Sequence, residues 1–176
     1  VGYSMGGPVA QLVWRRHPDR VQGLVLCATS RNFKSHASEH AAFGVIAGLT
    51  VAARATPHHV RQRVADRFLV ARYDDTPLGR WARDQARLND LRSILEAGQA
   101  LSSFSSKGWI GDVDVPPAVV IPRFDSTVPP RRQHRLAAAV PGARTWEVDG
   151  AHDVCATDPA AFVPALVAAC RHAALG

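Results

Sequence analysis

Close to one end of the 176-residue chain, Gly2-Tyr3-Ser4-Met5-Gly6 sets a serine between glycines two residues before and two residues after it. A serine hydroxyl is a weak nucleophile, and it attacks a carbonyl only when a base stands within hydrogen-bond reach and a third group holds that base in the right tautomer. The glycines suit this task. A nucleophile at a sharp strand-to-helix turn takes strained backbone angles, and glycines at those offsets let the chain cross without collision. Gly6, Gly7 and Pro8 then lead straight into a helical pattern. Read alone, the stretch could also be a glycine-rich loop with a solvent-exposed serine.

Eight histidines compete for the post of base. His17 precedes a proline at a helix end, His36, His40, His58 and His59 fall in a helical stretch, and His134 and His172 lie in surface helices. His152, in "VDGAHDV", stands directly after the last predicted strand and before the last helix, at the carboxyl edge of a sheet where ligands bind in open α/β folds. Asp125, in "VVIPRFDSTVPP", follows another strand at the same edge and is the candidate acid. Asp112 and Asp114 precede that strand and fall at the opposite edge, while Asp149 and Asp153 are too near His152 in sequence to face it.

These residues need a sheet to hold them. "VAQLVWRRH" has helical apolar spacing and stops at Pro18, and the apolar runs "VQGLVLCA" and "AVVI" read as strands buried on both faces. "RRQHRLAAAV" reads as a helix, "ARTWEV" as a strand, and "DPAAFVPALVAACRHAAL" as a helix with Asp158 at the N-cap and Pro159 at its first position. Alternation of this kind implies an α/β fold with a doubly wound, mostly parallel sheet. Between residues 30 and 111 the alternation stops, and three helical patterns follow. Thr56-Pro57 and Thr76-Pro77 mark helix starts there, and Val60, Val64 and Phe68 repeat every four residues. The expected organisation is a core of residues 1–29 and 112–176 with a helical cap at 30–111.

The net charge of +6 raises the question of nucleic acid, yet the arginines that supply it are scattered over almost every segment without interleaved stacking aromatics. Cys27, Cys155 and Cys170 are few, odd in number and widely spaced, so neither a disulfide framework nor a zinc site is indicated, and a cytoplasmic setting is expected. "AAFGVIAGLTVAA", the richest apolar stretch, is too short to span a bilayer. No nucleic acid, no membrane span, no metal and no cofactor is expected.

Serine, then aspartate, then histidine, each after a successive parallel strand, resembles the chain order of the α/β-hydrolase family. The likeness covers essentially the whole chain, through "GYSMGG", "HPDRVQGLVLCAT", "PPAVVIPRFDSTVPP" and "PGARTWEVDGAHDV". It implies Ser4 as nucleophile, His152 as general base and acid, Asp125 as orienting carboxylate and the Met5 backbone N–H as one oxyanion donor. It also implies that the helical insertion is a cap over the active site, and that strands and a second oxyanion donor belong upstream of Ser4, leaving apolar surface and marginal stability in this stretch alone. Ala151 stands where the family usually has glycine before the histidine.

The implied reaction passes through an acyl-serine. A serine at the elbow argues against the dehalogenase and epoxide hydrolase chemistries, which use aspartate there. The alanine, valine, leucine and phenylalanine of the insertion favour a small-molecule ester with a hydrophobic acyl group. Carbon–carbon bond hydrolysis, perhydrolysis and acyl transfer are the alternatives within the family, and a non-catalytic binding protein is the alternative outside it.

Overall fold

Continuous apolar runs make the centre of this molecule, because a strand covered on both faces has no side on which to place polar residues. In the computed structural model, which describes residues 1–34, 37–72 and 75–175, four parallel strands form one sheet in the order β1-β2-β3-β4. They are β1 (Gly2–Tyr3), β2 (Leu24–Cys27), β3 (Pro117–Pro122) and β4 (Arg144–Val148). Strand β1 is only two residues long and was not among the predicted strands.

Alternate side chains of β2 and β3 enter opposite layers. Val25, Cys27, Ala118 and Val120 pack with Val148, Phe162, Ala169 and Ala173 on the side of the final helix, Pro159–Leu175. Leu24 and Leu26 meet Trp14 and Leu136 on the other side, where helix α1 (Gly6–Arg16) and the helix Pro130–Ala137 lie. Burial pushes the Cys27 thiol up to about 12, which keeps it a neutral core side chain. Strand β4 is an edge, and its residues Arg144, Thr145 and Glu147 are exposed. Met5, Val9 and Val13, spaced four residues apart just before and along α1, are 46%, 56% and 45% exposed, and the outer edge of β1 has no partner among the described residues.

Packing divides the chain into Val1–Phe33 with Phe104–Gly176, and Lys34–Ser103. These boundaries differ from the expected 29/30 and 111/112 because residues 104–111 pack on the sheet unit. Ser106 donates its backbone N–H to Arg31 C=O, and Ile110, 1% exposed, shares a core with Trp14.

The second unit is helical: α2 (Ala37–Ala55), α3 (His58–Arg72), α4 (Pro77–Arg87) and α5 (Leu91–Ser103). The third predicted helical pattern is therefore two helices. The break falls at Asp90, whose carboxylate accepts the Arg92 N–H at 2.8 Å as an N-cap would and is also gripped by Arg61. Thr76 accepts the Gly79 N–H and starts α4 as expected, whereas the Thr56 hydroxyl turns back to Ala52 C=O and closes α2 instead. His36 and Tyr73 lie outside the described residues, as does the side chain of Phe68. Among the described residues, no helix is long and apolar enough to cross a membrane and no cluster of ligating side chains could hold a metal.

Candidate active site

Strand β1 ends in a turn that holds Ser4 at φ +49°, in the left-handed region that costs a non-glycine residue energy. The turn is tied at both ends. Ser4 N–H donates to Cys27 C=O at 2.9 Å, and the Thr29 hydroxyl donates to Ser4 C=O at 2.8 Å. Close approach fixes two of its glycines. A Cβ on Gly2 would stand 2.3 Å from Gly6 O, and one on Gly7 would stand 2.2 Å from Thr29 Oγ1. A Cβ on Gly6 would meet nothing within 4 Å, so the steric demand expected of Gly6 falls on Gly7.

The structure brings Ser4, His152 and Asp125 together. His152 Nε2 lies 2.8 Å from Ser4 Oγ, and His152 Nδ1 lies 2.8 Å from Asp125 Oδ2. A carboxylate only accepts, so the proton sits on Nδ1, and Nε2 is left to accept the Ser4 hydroxyl proton. Asp125 is 3% exposed, and its Oδ1 accepts the backbone N–H groups of Thr127 and Val128 at 2.9 and 2.8 Å. The loops carrying acid and base are joined to each other. Past the end of β3, Arg123 N–H donates to Val148 C=O and Phe124 N–H to Gly150 C=O, while the Arg123 guanidinium pairs with Glu147 and Asp149. Pro122 therefore ends β3 without carrying Asp125 away from the histidine loop.

Tyr3 was missed at the sequence level, where it is only the variable residue before the serine. Its hydroxyl donates to His152 C=O at 2.5 Å, and its ring packs edge-on against His152 and Phe162. Burial first, then hydrogen bonding to Cys155, holds its phenol far above its ordinary value, so it stays a neutral donor. Thr29 was missed as well, although the Gly6-Gly7 doublet was a signal that something approaches closely. Met5 follows Ser4 with helical angles, φ −59° and ψ −29°, at the start of α1. The rival acids are engaged elsewhere: Asp114 accepts Trp14 Nε1–H, Asp112 pairs with Arg15 and Asp149 with Arg123. Among the other histidines, His58 lies near Asp90, His134 near Glu147 and His172 against Trp146. A cleft of about 370 Å³ lies within the helical unit and is lined by His58, Arg61, Asp66, Arg87 and Asp90, with none of the three site residues. Its two arginines are each answered by a carboxylate, Arg61 by Asp90 and Arg87 by Asp66.

A parallel sheet flanked by helices, with a strained residue at its first strand-to-helix turn, is the architecture of an α/β hydrolase. Residues 1–153 match the model of the serine aminopeptidase S33 family, and the chain belongs to that family. It is 30% identical over 149 residues to a pimeloyl-[acyl-carrier protein] methyl ester esterase of Neisseria meningitidis serogroup A, covering 82% of this chain and 47% of that protein. The chain thus spans about half the length of the curated relatives it matches. Among solved structures it is similar to a hydrolase from Pseudomonas aeruginosa PA01, with TM-score 0.75 and 19% identity over 95% of this chain and 62% of that one. It is also similar to the enol-lactonase from Burkholderia xenovorans LB400, with TM-score 0.70 and 23% identity over 97% of this chain and 64% of that one.

Proposed function

We propose that the protein hydrolyses carboxylic esters of small molecules with a hydrophobic acyl group, through an acyl-serine on Ser4. The observation that carries this reading is the unbroken hydrogen-bonded series from Ser4 Oγ through His152 to a buried Asp125. His152 Nε2 takes the Ser4 proton as Oγ attacks the carbonyl carbon, and Asp125 stabilises the imidazolium that results. The tetrahedral oxyanion accepts the Met5 N–H, a donor of a kind whose removal typically costs on the order of 10² to 10³ in rate. His152 returns the proton to the departing alcohol. Water, deprotonated by the same nitrogen, then attacks the acyl carbon and releases the acid and Ser4.

The names of the relatives support an ester-type bond: one denotes a methyl ester esterase, and the other a lactonase, which opens a cyclic ester. A p-nitrophenyl ester series from acetate to octanoate, set against a diketone substrate for carbon–carbon hydrolysis, tests the reaction class in the full-length gene product. Turnover rising with acyl length, and falling by about 10⁶ in Ser4→Ala, is the expected result. Esterase activity that survives Ser4→Ala refutes the acyl-serine, and turnover of the diketone alone refutes the ester.

A further inference from the structure

Gln133 lies on the helix Pro130–Ala137, reads in sequence as one more polar residue among "RRQHR", and is nevertheless 0% exposed. Its side-chain nitrogen donates to Asp125 Oδ2 at 3.0 Å and to Val128 C=O at 2.8 Å. Both neighbours accept only, which fixes which end of the amide faces them. The other end, Oε1, is buried and has no hydrogen-bond partner among the described residues. A buried amide with an unmatched oxygen is a poor packing residue compared with an apolar side chain of the same volume. Something other than packing accounts for a glutamine here.

We infer that Gln133 is a positioning residue for the proposed reaction, acting through Asp125; the inference rests on the Ser4–His152–Asp125 reading. Two backbone N–H groups hold Oδ1, but they leave the carboxylate able to swing about that oxygen. Gln133 is the second anchor. With it, Oδ2 accepts one hydrogen bond from the amide and one from His152 Nδ1–H, so the carboxylate points its free acceptor direction at the imidazole before and during proton transfer. All four acceptor positions of Asp125 are then used.

Gln133→Met keeps length and volume and removes the donor, and Gln133→Leu repeats the change with a different shape should methionine disturb the helix. The readouts are kcat and KM on p-nitrophenyl butyrate, the rate of fluorophosphonate inactivation, which reports Ser4 reactivity per folded molecule, and the melting temperature, all in the full-length gene product. The expected result is kcat and inactivation rate lower by about 10- to 100-fold with KM within twofold and the melting transition still cooperative. In an Asp125→Ala background, the same substitutions are expected to change neither rate further, because the residue through which Gln133 acts is gone. Unchanged kcat in both variants overturns the inference, and so does an equal loss in the Asp125→Ala background, which would mark Gln133 as a general stabiliser. Retained turnover in Ser4→Ala is a separate outcome, and it overturns the triad reading and this inference with it.

Discussion

In the sheet unit the carboxylate that matters is enclosed: Asp125, 3% exposed, accepts from two backbone N–H groups, from Gln133 and from His152. In the helical unit five described carboxylates sit at or near the surface and meet arginine, Asp66 and Asp84 with Arg87, Asp75 with Arg83, Asp90 with Arg61 and Glu96 with Arg54 and Arg92. The same residue types thus serve two ends. Burial with several fixed donors holds a side chain to one geometry, which chemistry requires; exposed ion pairs hold helices together loosely and are screened by salt. Apolar residues divide in the same way. The valines and leucines of β2 and β3 are buried, whereas Val45, Leu49, Val51 and Val64 of the helical unit are 62%, 51%, 67% and 55% exposed.

Glycine-to-alanine changes give the sharpest contrast between the units. Gly2→Ala and Gly7→Ala drive a methyl into Gly6 O and Thr29, so each is expected to lower the stability of the full-length gene product by about 3 kcal/mol or more. Gly44→Ala and Gly48→Ala lie inside α2 with nothing within 4 Å of the new methyl, and each is expected to stabilise by about 0.5–1 kcal/mol. Urea midpoints of the four variants read both signs. If Gly2→Ala and Gly7→Ala are neutral, the turn around Ser4 is not the tight crossing described above.

A smaller effect separates the units by pH. Hydrogen bonding from Arg61 first, with the Arg92 N–H, holds the Asp90 carboxyl at about 2, below its unfolded value of about 3.9. A depressed folded value contributes stability that is complete above the unfolded value and is lost as pH falls from there towards the folded one. The difference in urea midpoint between the wild type and Asp90→Asn should therefore shrink as pH falls from 5 to 3. A difference that stays constant down to pH 3 would mean that Asp90 is not held by Arg61.

Much of the sheet was legible in the sequence because its cause is local. Runs such as "LVLC" and "AVVI" can be satisfied only by burial on both faces, and Asp158 with Pro159 caps its helix as such pairs do, with the Ala161 N–H on the Asp158 carboxylate. Spacing and place at strand ends singled out Ser4, Asp125 and His152 as candidates, and these three lie within hydrogen-bond distance of one another in series. What stayed hidden depends on contacts across the fold. Strand β1 is two residues long and carries no period; Tyr3, Thr29 and Gln133 look like ordinary variable, turn and surface positions until chain 149, 25 and 8 residues away, respectively, is set against them. The division at Asp90 was hidden because the helical patterns on either side run on in one register, and only the cap and the Arg61 pair interrupt them.

The central claim is that His152, held by Asp125, makes Ser4 a nucleophile. The most direct measurement is the rate at which a fluorophosphonate modifies Ser4 in the full-length gene product, with the adduct located by mass spectrometry, compared between wild type and His152→Ala. Rapid modification confined to Ser4, slowed by at least about 10³-fold in His152→Ala, is the result expected. Modification of Ser4 at the same rate in both proteins, or modification of another residue instead, would contradict it.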